Sequence, residues 1–501
     1  MGAPLSHLAH DELARAPRLA SATLAPWGFA LALATLSTAL LWRASVGINW
    51  GICILCIVAA LFATIRERFG NVGIPTVVAC AWAVVLAFGT AVTTDGPRIG
   101  LLVMATGVLL AIALVTAGRS SLDALQLGVA LTAPVAAIAL VFSGIVTESG
   151  STVRGARSPR MRSAARSALI TVPVVITLVL LLAEADPVFA AARRALERVI
   201  PDDFLGRTIF FALVLAITLG AFGAVRHHQS HASALSSPTG ADIGVLESRV
   251  LLAALASIEW LFVISAGISL SKNPAAVAGS GITYAEYVHR GFAQLSISAT
   301  IIIGAVLVTR RSWVAVDAVA RRIAIAALAG EGGMIAIASM RVVRYEEAYG
   351  FTQPRLHAQA YLVVLACVST LVVIEVTRRA RSSRLAYHCA HATLLVLAAC
   401  VYWNTDAWIV RQNVDRYVRT GKLDTYYLTA SLSPDATPAL VSSLARLGPK
   451  ERDALSSWLC ASSHRRHRDE RWFEWSYRAT QAAKATLAWF HESQPNCAPP
   501  M

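Results

Sequence analysis

The chain has 501 residues, of which 56% are hydrophobic and only 15% charged, and its mean hydropathy is +0.58. Soluble domains carry about 25% charged residues, and here the apolar residues come in blocks of about 20, the length that crosses a hydrocarbon core. A soluble globular enzyme, a disordered chain and a disulfide scaffold are excluded, and a polytopic all-α membrane protein remains. The net charge is +14, with four lysines among the 44 basic residues. That arginine excess fits a GC-rich bacterial genome, hence a bacterial cytoplasmic membrane. The charge is spread over many loops, where it sets topology, so a nucleic-acid partner is not expected.

Residues 1–24 form a polar N-terminal extension. Residues 25–403 then hold about twelve predicted transmembrane helices, near 25–42, 47–64, 74–92, 99–117, 124–146, 167–185, 208–225, 250–270, 291–309, 323–341, 357–376 and 385–403. Helix is the only open-ended structure that satisfies its own backbone in lipid. Cys53 and Cys56 lie inside an apolar run and read as small packing residues rather than a redox pair. The loops 147–166 and 226–247 are rich in Gly, Ser, Arg and His. Alternate loops, with Arg43, Arg98, the 154–166 arginines, Arg226, Arg249, Arg310–Arg311, Arg321–Arg322 and Arg378–Arg384, carry slightly more arginine than the other face. This expectation puts those loops in the cytoplasm and both termini outside.

Within the spans, Glu259 and Glu331 are ionisable groups at mid-depth, each costing roughly 2.5–3.5 kcal/mol on insertion scales, so they invite a functional reading. Gly330, Gly332 and Gly333 beside Glu331 allow close helix approach. A proton or cation relay and a hydrogen-bonded packing role both fit. His388 and His391 share a helix face at i,i+3, but no second half-site accompanies them, and no metal or cofactor is expected.

At span ends, Asp186-Pro187 closes the sixth block. Tyr284, Glu286, Tyr287, Arg290 and Phe292 form an amphipathic stretch before the ninth. Arg344, Tyr345, Glu346, Glu347 and Tyr349 precede Gly350 and read as a solvated turn. Residues 404–501 contain no spanning block and read as a small soluble helical C-terminal module. Its stop signals are Gly421 and Gly448, its cap Ser433-Pro434, and its last helix is aromatic. Cys460 and Cys497 are its two cysteines and, on the outer face, would form a disulfide.

Four ordered motifs carry a resemblance: LAEADPVF (182–189), TYAEYVHRGF (283–292), RYEEAYGFT (344–352) and NTDAWIVRQNVDR (404–416), the last continuing into KLD (422–424) and LSPDA (432–436). Together they resemble the bacterial multi-pass membrane family catalogued only as a domain of unknown function, of the 4153/4173 type, over residues 165–480. The resemblance implies the architecture and no activity, cofactor or catalytic residue.

By parity of the spans, the loops with these motifs and the tail share one face. The expected functional surface there comprises Asp186, Tyr284, Glu286, Arg290, Arg344, Tyr345, Glu346, Asp406, Arg411 and Asn413. A transporter or permease is the leading reading. An envelope scaffold or sensor acting through the C-terminal module is the alternative, and a lipid-modifying enzyme has the thinnest support. Apart from the lipid bilayer, no protein partner or substrate is legible.

Overall fold

The computed structural model describes residues 25–119, 127–152, 202–227, 244–271, 298–310, 313–378, 384–464 and 471–493. Among them the elements are α-helices and short 3-10 turns, with no strand. Eight of the helices are long and apolar enough to cross a membrane, and three shorter apolar helices accompany them. The protein is a polytopic α-helical membrane protein. The predicted sixth span, Asp186 and the 283–292 motif lie outside the described residues.

The chain divides into two compact units. The first contains α1 (Ala25–Leu41), α2 (Ile48–Phe69), α3 (Ile74–Gly89), most of α4 (Gly96–Val115), α5 (Leu127–Thr152) and α6 (Asp202–His227), together with Arg471–Trp475. Glycines bring α5 and α6 into backbone contact: a Cβ on Gly144 would meet the Gly220 carbonyl oxygen at 1.9 Å. Helices α1 and α6 run antiparallel, since Phe29 packs on Phe222 while Trp42 packs on Phe210. The short turn between α1 and α2 is held by Asn49, whose amide donates to the carbonyls of Leu40 and Ser45. The segment 471–475 seals this turn, with Ile48 N donating to Trp475 O and Arg471 to Arg43 O.

The second unit contains α7 (Val245–Ser271), α8 (Ser298–Arg310), α9 (Ala318–Tyr349), α10 (Gln353–Thr377), α11 (Leu385–Tyr402) and the C-terminal helices, with residues 92–99. Asp317 caps α9 by accepting from Ala320 N, and its carboxyl is held below the usual carboxylate range by that bond and by Arg249. An apolar cluster around Leu252, Ile302, Trp313, Leu328 and Val372 joins the spans.

The C-terminal helices are α12 (Thr405–Thr420), α13 (Thr425–Ala430), α14 (Thr437–Ser443), α15 (Pro449–His464) and α16 (Tyr477–Ser493). Their own core is built from Ile409, Val410, Val414, Leu428, Leu440, Leu459 and Trp489. The local signals predict these boundaries well. Asn404 and Asp424 accept from Ala407 N and Tyr427 N as N-caps, Gly421 ends α12 at φ 69°, and Pro434 follows the Ser433 cap. Cys460 is disulfide-bonded; its expected partner, Cys497, lies outside the described residues.

Candidate functional site

Two sets of buried polar side chains stand out in the second unit, and they differ in how well they are satisfied. The first lies where the C-terminal helices meet the ends of α4, α10 and α11. Asp406, in the first turn of α12, is fully buried. One of its oxygens accepts from Arg98 Nη2 at 2.6 Å and Gln353 Nε2 at 2.9 Å. The other accepts from Ser433 N and Oγ at 3.1 and 2.5 Å. Burial alone would raise this carboxyl, but Arg98 and the bonds from Ser433 and Gln353 outweigh it and hold Asp406 below the usual range. Arg98 also binds Asp95 at 2.8 Å. Burial pushes Asp95 up despite Arg98, and Asp406 and Asp435 push it further.

Asp435 is built the same way. It accepts from Thr93 Oγ1, from Thr94 N and Oγ1, and from Arg478 Nη1 at 3.3 Å. Arg478 in turn donates to the carbonyls of Val401 and Tyr402, closing the C-terminus of α11. These pairs exhaust the carboxylate lone pairs, which is what a stable buried ion pair needs.

The turn after α9 docks on α12. Gly350 has φ +89°, and a Cβ there would stand 2.5 Å from Asn413 Oδ1. That oxygen accepts from Phe351 N, while Asn413 Nδ2 donates to the carbonyls of Phe351 and Ile409. Arg416 covers the last carbonyls of α9, donating to Glu347 O and Ala348 O. The expectation of a solvated 344–350 turn is therefore corrected. Tyr345 and Glu346 are buried, at 6% and 2% exposure; Gln359 of α10 donates to Glu346, and Arg355 of α10 stacks on the Tyr345 ring. Arg344 and Arg411 are exposed. The structure thus ties Asp406 and Asn413 to the segment from Gly350 to Gln353, just after Tyr345 and Glu346 in the chain, while Asp186, Tyr284, Glu286 and Arg290 lie outside the described residues.

A second correction concerns Arg98, assigned by sequence to the face opposite the tail: it pairs with Asp406 of the tail. Alternation from one apolar block to the next holds only if each crosses once, and this contact breaks it.

The second set lies at mid-depth. Glu331 is about 20 Å along α9 from Asp317, and Glu259 is at a similar depth in α7. Gly330 lets the two helices close up: its Cβ would be 3.2 Å from Glu259 Cβ and 3.3 Å from Glu259 Oε2. Trp260 Nε1 donates to Ala326 O across the same contact. Ser369 on α10 donates to Glu331 Oε1 at 2.6 Å. Glu331 Oε2 and both Glu259 oxygens are buried with no hydrogen-bond partner. Beside Glu331 is a cavity of about 10 Å³, otherwise lined by apolar residues including Ala299, Ala338, Leu362 and Leu365. That is room for a single water. An ionised carboxylate without donors is expensive at this depth, so this pair suits a group that takes up a proton or a small cation. Among the described residues no group of three or more His, Cys, Asp or Glu could hold a metal ion.

Sequence reasoning missed Arg98, Asp435 and Arg478 as parts of the first set. Arg98 was read as a topology charge, and its partner lies 308 residues away.

The family described as a domain of unknown function (DUF4153) matches residues 80–443. The match spans more than half of the chain, which therefore belongs to that family. It begins earlier than the motif resemblance and takes in the ion-paired Asp95–Arg98 segment, the Glu259–Glu331 pair and the first turns of the tail. No curated protein and no solved structure matches the chain.

Proposed function

We propose that the protein is a transporter of the bacterial cytoplasmic membrane that couples solute movement to a proton or small cation carried by Glu259 and Glu331. The observation that supports this most directly is the three unpartnered carboxylate oxygens at mid-depth on facing helices. A packing role would have been served by any apolar residue at lower cost, whereas a carrier must leave its binding oxygens free. The glycines that bring α7 and α9 together let the carboxyls approach without side chains between them. On this reading the C-terminal helices face the extracytoplasmic side, which the disulfide at Cys460 supports, because such bonds persist in oxidising compartments.

The test is charge movement on solid-supported membranes after a pH step. Reconstituted protein should give a transient current above protein-free vesicles, and Glu331→Gln should remove it. The absence of any current from the unmodified protein, or an unchanged current from Glu331→Gln, overturns the reading.

A further inference from the structure

We infer that Glu346 is a second proton-holding site, connected to Glu331 along the seam between α9 and α10, so that the mid-membrane pair is served from the face carrying the C-terminal helices. This rests on the proton-carrier reading above and extends it.

The two helices pack antiparallel, and the seam can be followed pair by pair. Glu331 faces Ser369, the next turns bring Met334, Ile335 and Ala338 against Leu365 and Leu362, and Glu346 faces Gln359. Glu331 and Glu346 are fifteen residues apart, about 22 Å along the helix, and both point into the same contact. The water-sized cavity lies between them, against Glu331, Ala338 and Leu362.

Glu346 shares the half-filled arrangement of Glu331 but also has a cation near it, the Arg355 guanidinium of α10 that stacks on Tyr345. It is 2% exposed, one oxygen accepts from a neutral α10 side chain, Gln359 Nε2, at 2.5 Å, and Oε1 is buried without a partner. Among the described residues, the buried carboxylate oxygens without a partner belong to Glu259, Glu331 and Glu346. All three are on α9 or on the helix packed against it. The carboxylates of the neighbouring tail junction, Asp406 and Asp435, are saturated by donors instead. The step is proton transfer alone: the O–H bond on Glu331 breaks as one forms on the water of the cavity, further waters admitted where α9 and α10 part beyond Ala338 pass the excess proton on by breaking one O–H bond as the next forms, and the last of them protonates Glu346.

Infrared spectroscopy of the full-length protein in lipid vesicles tests this. The carboxylic C=O band absent from Glu331→Gln reports the Glu331 proton, and its rate of shift on transfer to D₂O reports access. Glu346→Gln should slow that exchange at least tenfold, Glu346→Asp should restore most of it, and Ala338→Ile, which fills the cavity, should slow it while leaving Glu346 in place. Exchange within twofold of the unmodified rate in both Glu346→Gln and Ala338→Ile overturns the inference, as does the absence of any Glu331 carboxylic band. If pH-step currents are missing while Glu346→Gln still slows exchange, the path stands and the transport reading falls.

Discussion

The tail junction and the mid-membrane pair bury carboxylates to similar extents and treat them in opposite ways. Asp406 and Asp435 each receive four donors, from side chains and backbone far apart in sequence. Glu259 receives none and Glu331 one. A buried charge is tolerated only when its lone pairs are filled, so the first set suits a structural role, and on the proposed reading the second is free to bind. What separates the two sets is therefore not depth but unfilled oxygens.

The largest expected effect comes from breaking the saturated set. Asp406→Ala leaves the buried Arg98 with Asp95 alone and removes the acceptor of Gln353 and Ser433, and should cost about 3–5 kcal/mol, read as loss of folded protein in detergent thermal unfolding. Retained stability would show that the junction is not what fixes the tail. Gly350→Ala is next. It forces a side chain into a left-handed backbone and against Asn413, and should cost about 1–3 kcal/mol, whereas Gly421→Ala, whose Cβ would meet nothing within 4 Å, should be strained only by its φ and cost less.

A pH series sharpens the same contrast. The Asp406 carboxyl is held below its usual value of 3.8, so the stability it contributes is fully present above about pH 4 and is lost only as pH falls through its depressed value. Asp95 is shifted up by burial, so it gains its proton first, which relieves its own cost rather than loosening the tail. Amide exchange across α12, corrected for intrinsic rates, should be level from pH 8 to pH 5. Protection that falls within that window would contradict the assignment of Asp406 as the tail's anchor. The smallest effect belongs to Arg411→Ala, at an exposed position of the same motif, which should stay within about 0.5 kcal/mol.

Labelling can break the placement of the faces. Pro97→Cys and Tyr426→Cys, both exposed in the second unit, should react with an impermeant thiol reagent from one side of the membrane, and Arg378→Cys, at the far end of α10, from the other. Reaction of Pro97→Cys from the side opposite Tyr426→Cys would restore the alternation that the Arg98–Asp406 pair overturns.

Much of this fold is legible in the sequence because its signals are local. The apolar blocks, the Asn404 and Asp424 caps and the Gly421 stop depend on neighbours within a few residues, and lone glutamates in apolar runs mark Glu259 and Glu331 without any structure. The Arg98 pairing is different: nothing within reach of Arg98 in sequence names Asp406 as its partner, and an arginine at a span end looks the same whether it meets solvent or a buried acid. Glu346 and Glu347 are likewise alike in sequence. Only the packing of α10 on α9, where Gln359 meets Glu346, shows that the first is buried while the second is exposed.

The most direct test measures thermal stability and pH-step current in the same preparations of Glu331→Gln and Asp406→Asn. The account predicts that Glu331→Gln keeps the unmodified melting temperature and loses the current, while Asp406→Asn lowers the melting temperature by several degrees. A Glu331→Gln protein that unfolds as Asp406→Asn does, or that keeps the full current, would contradict the division between filled and vacant carboxylates.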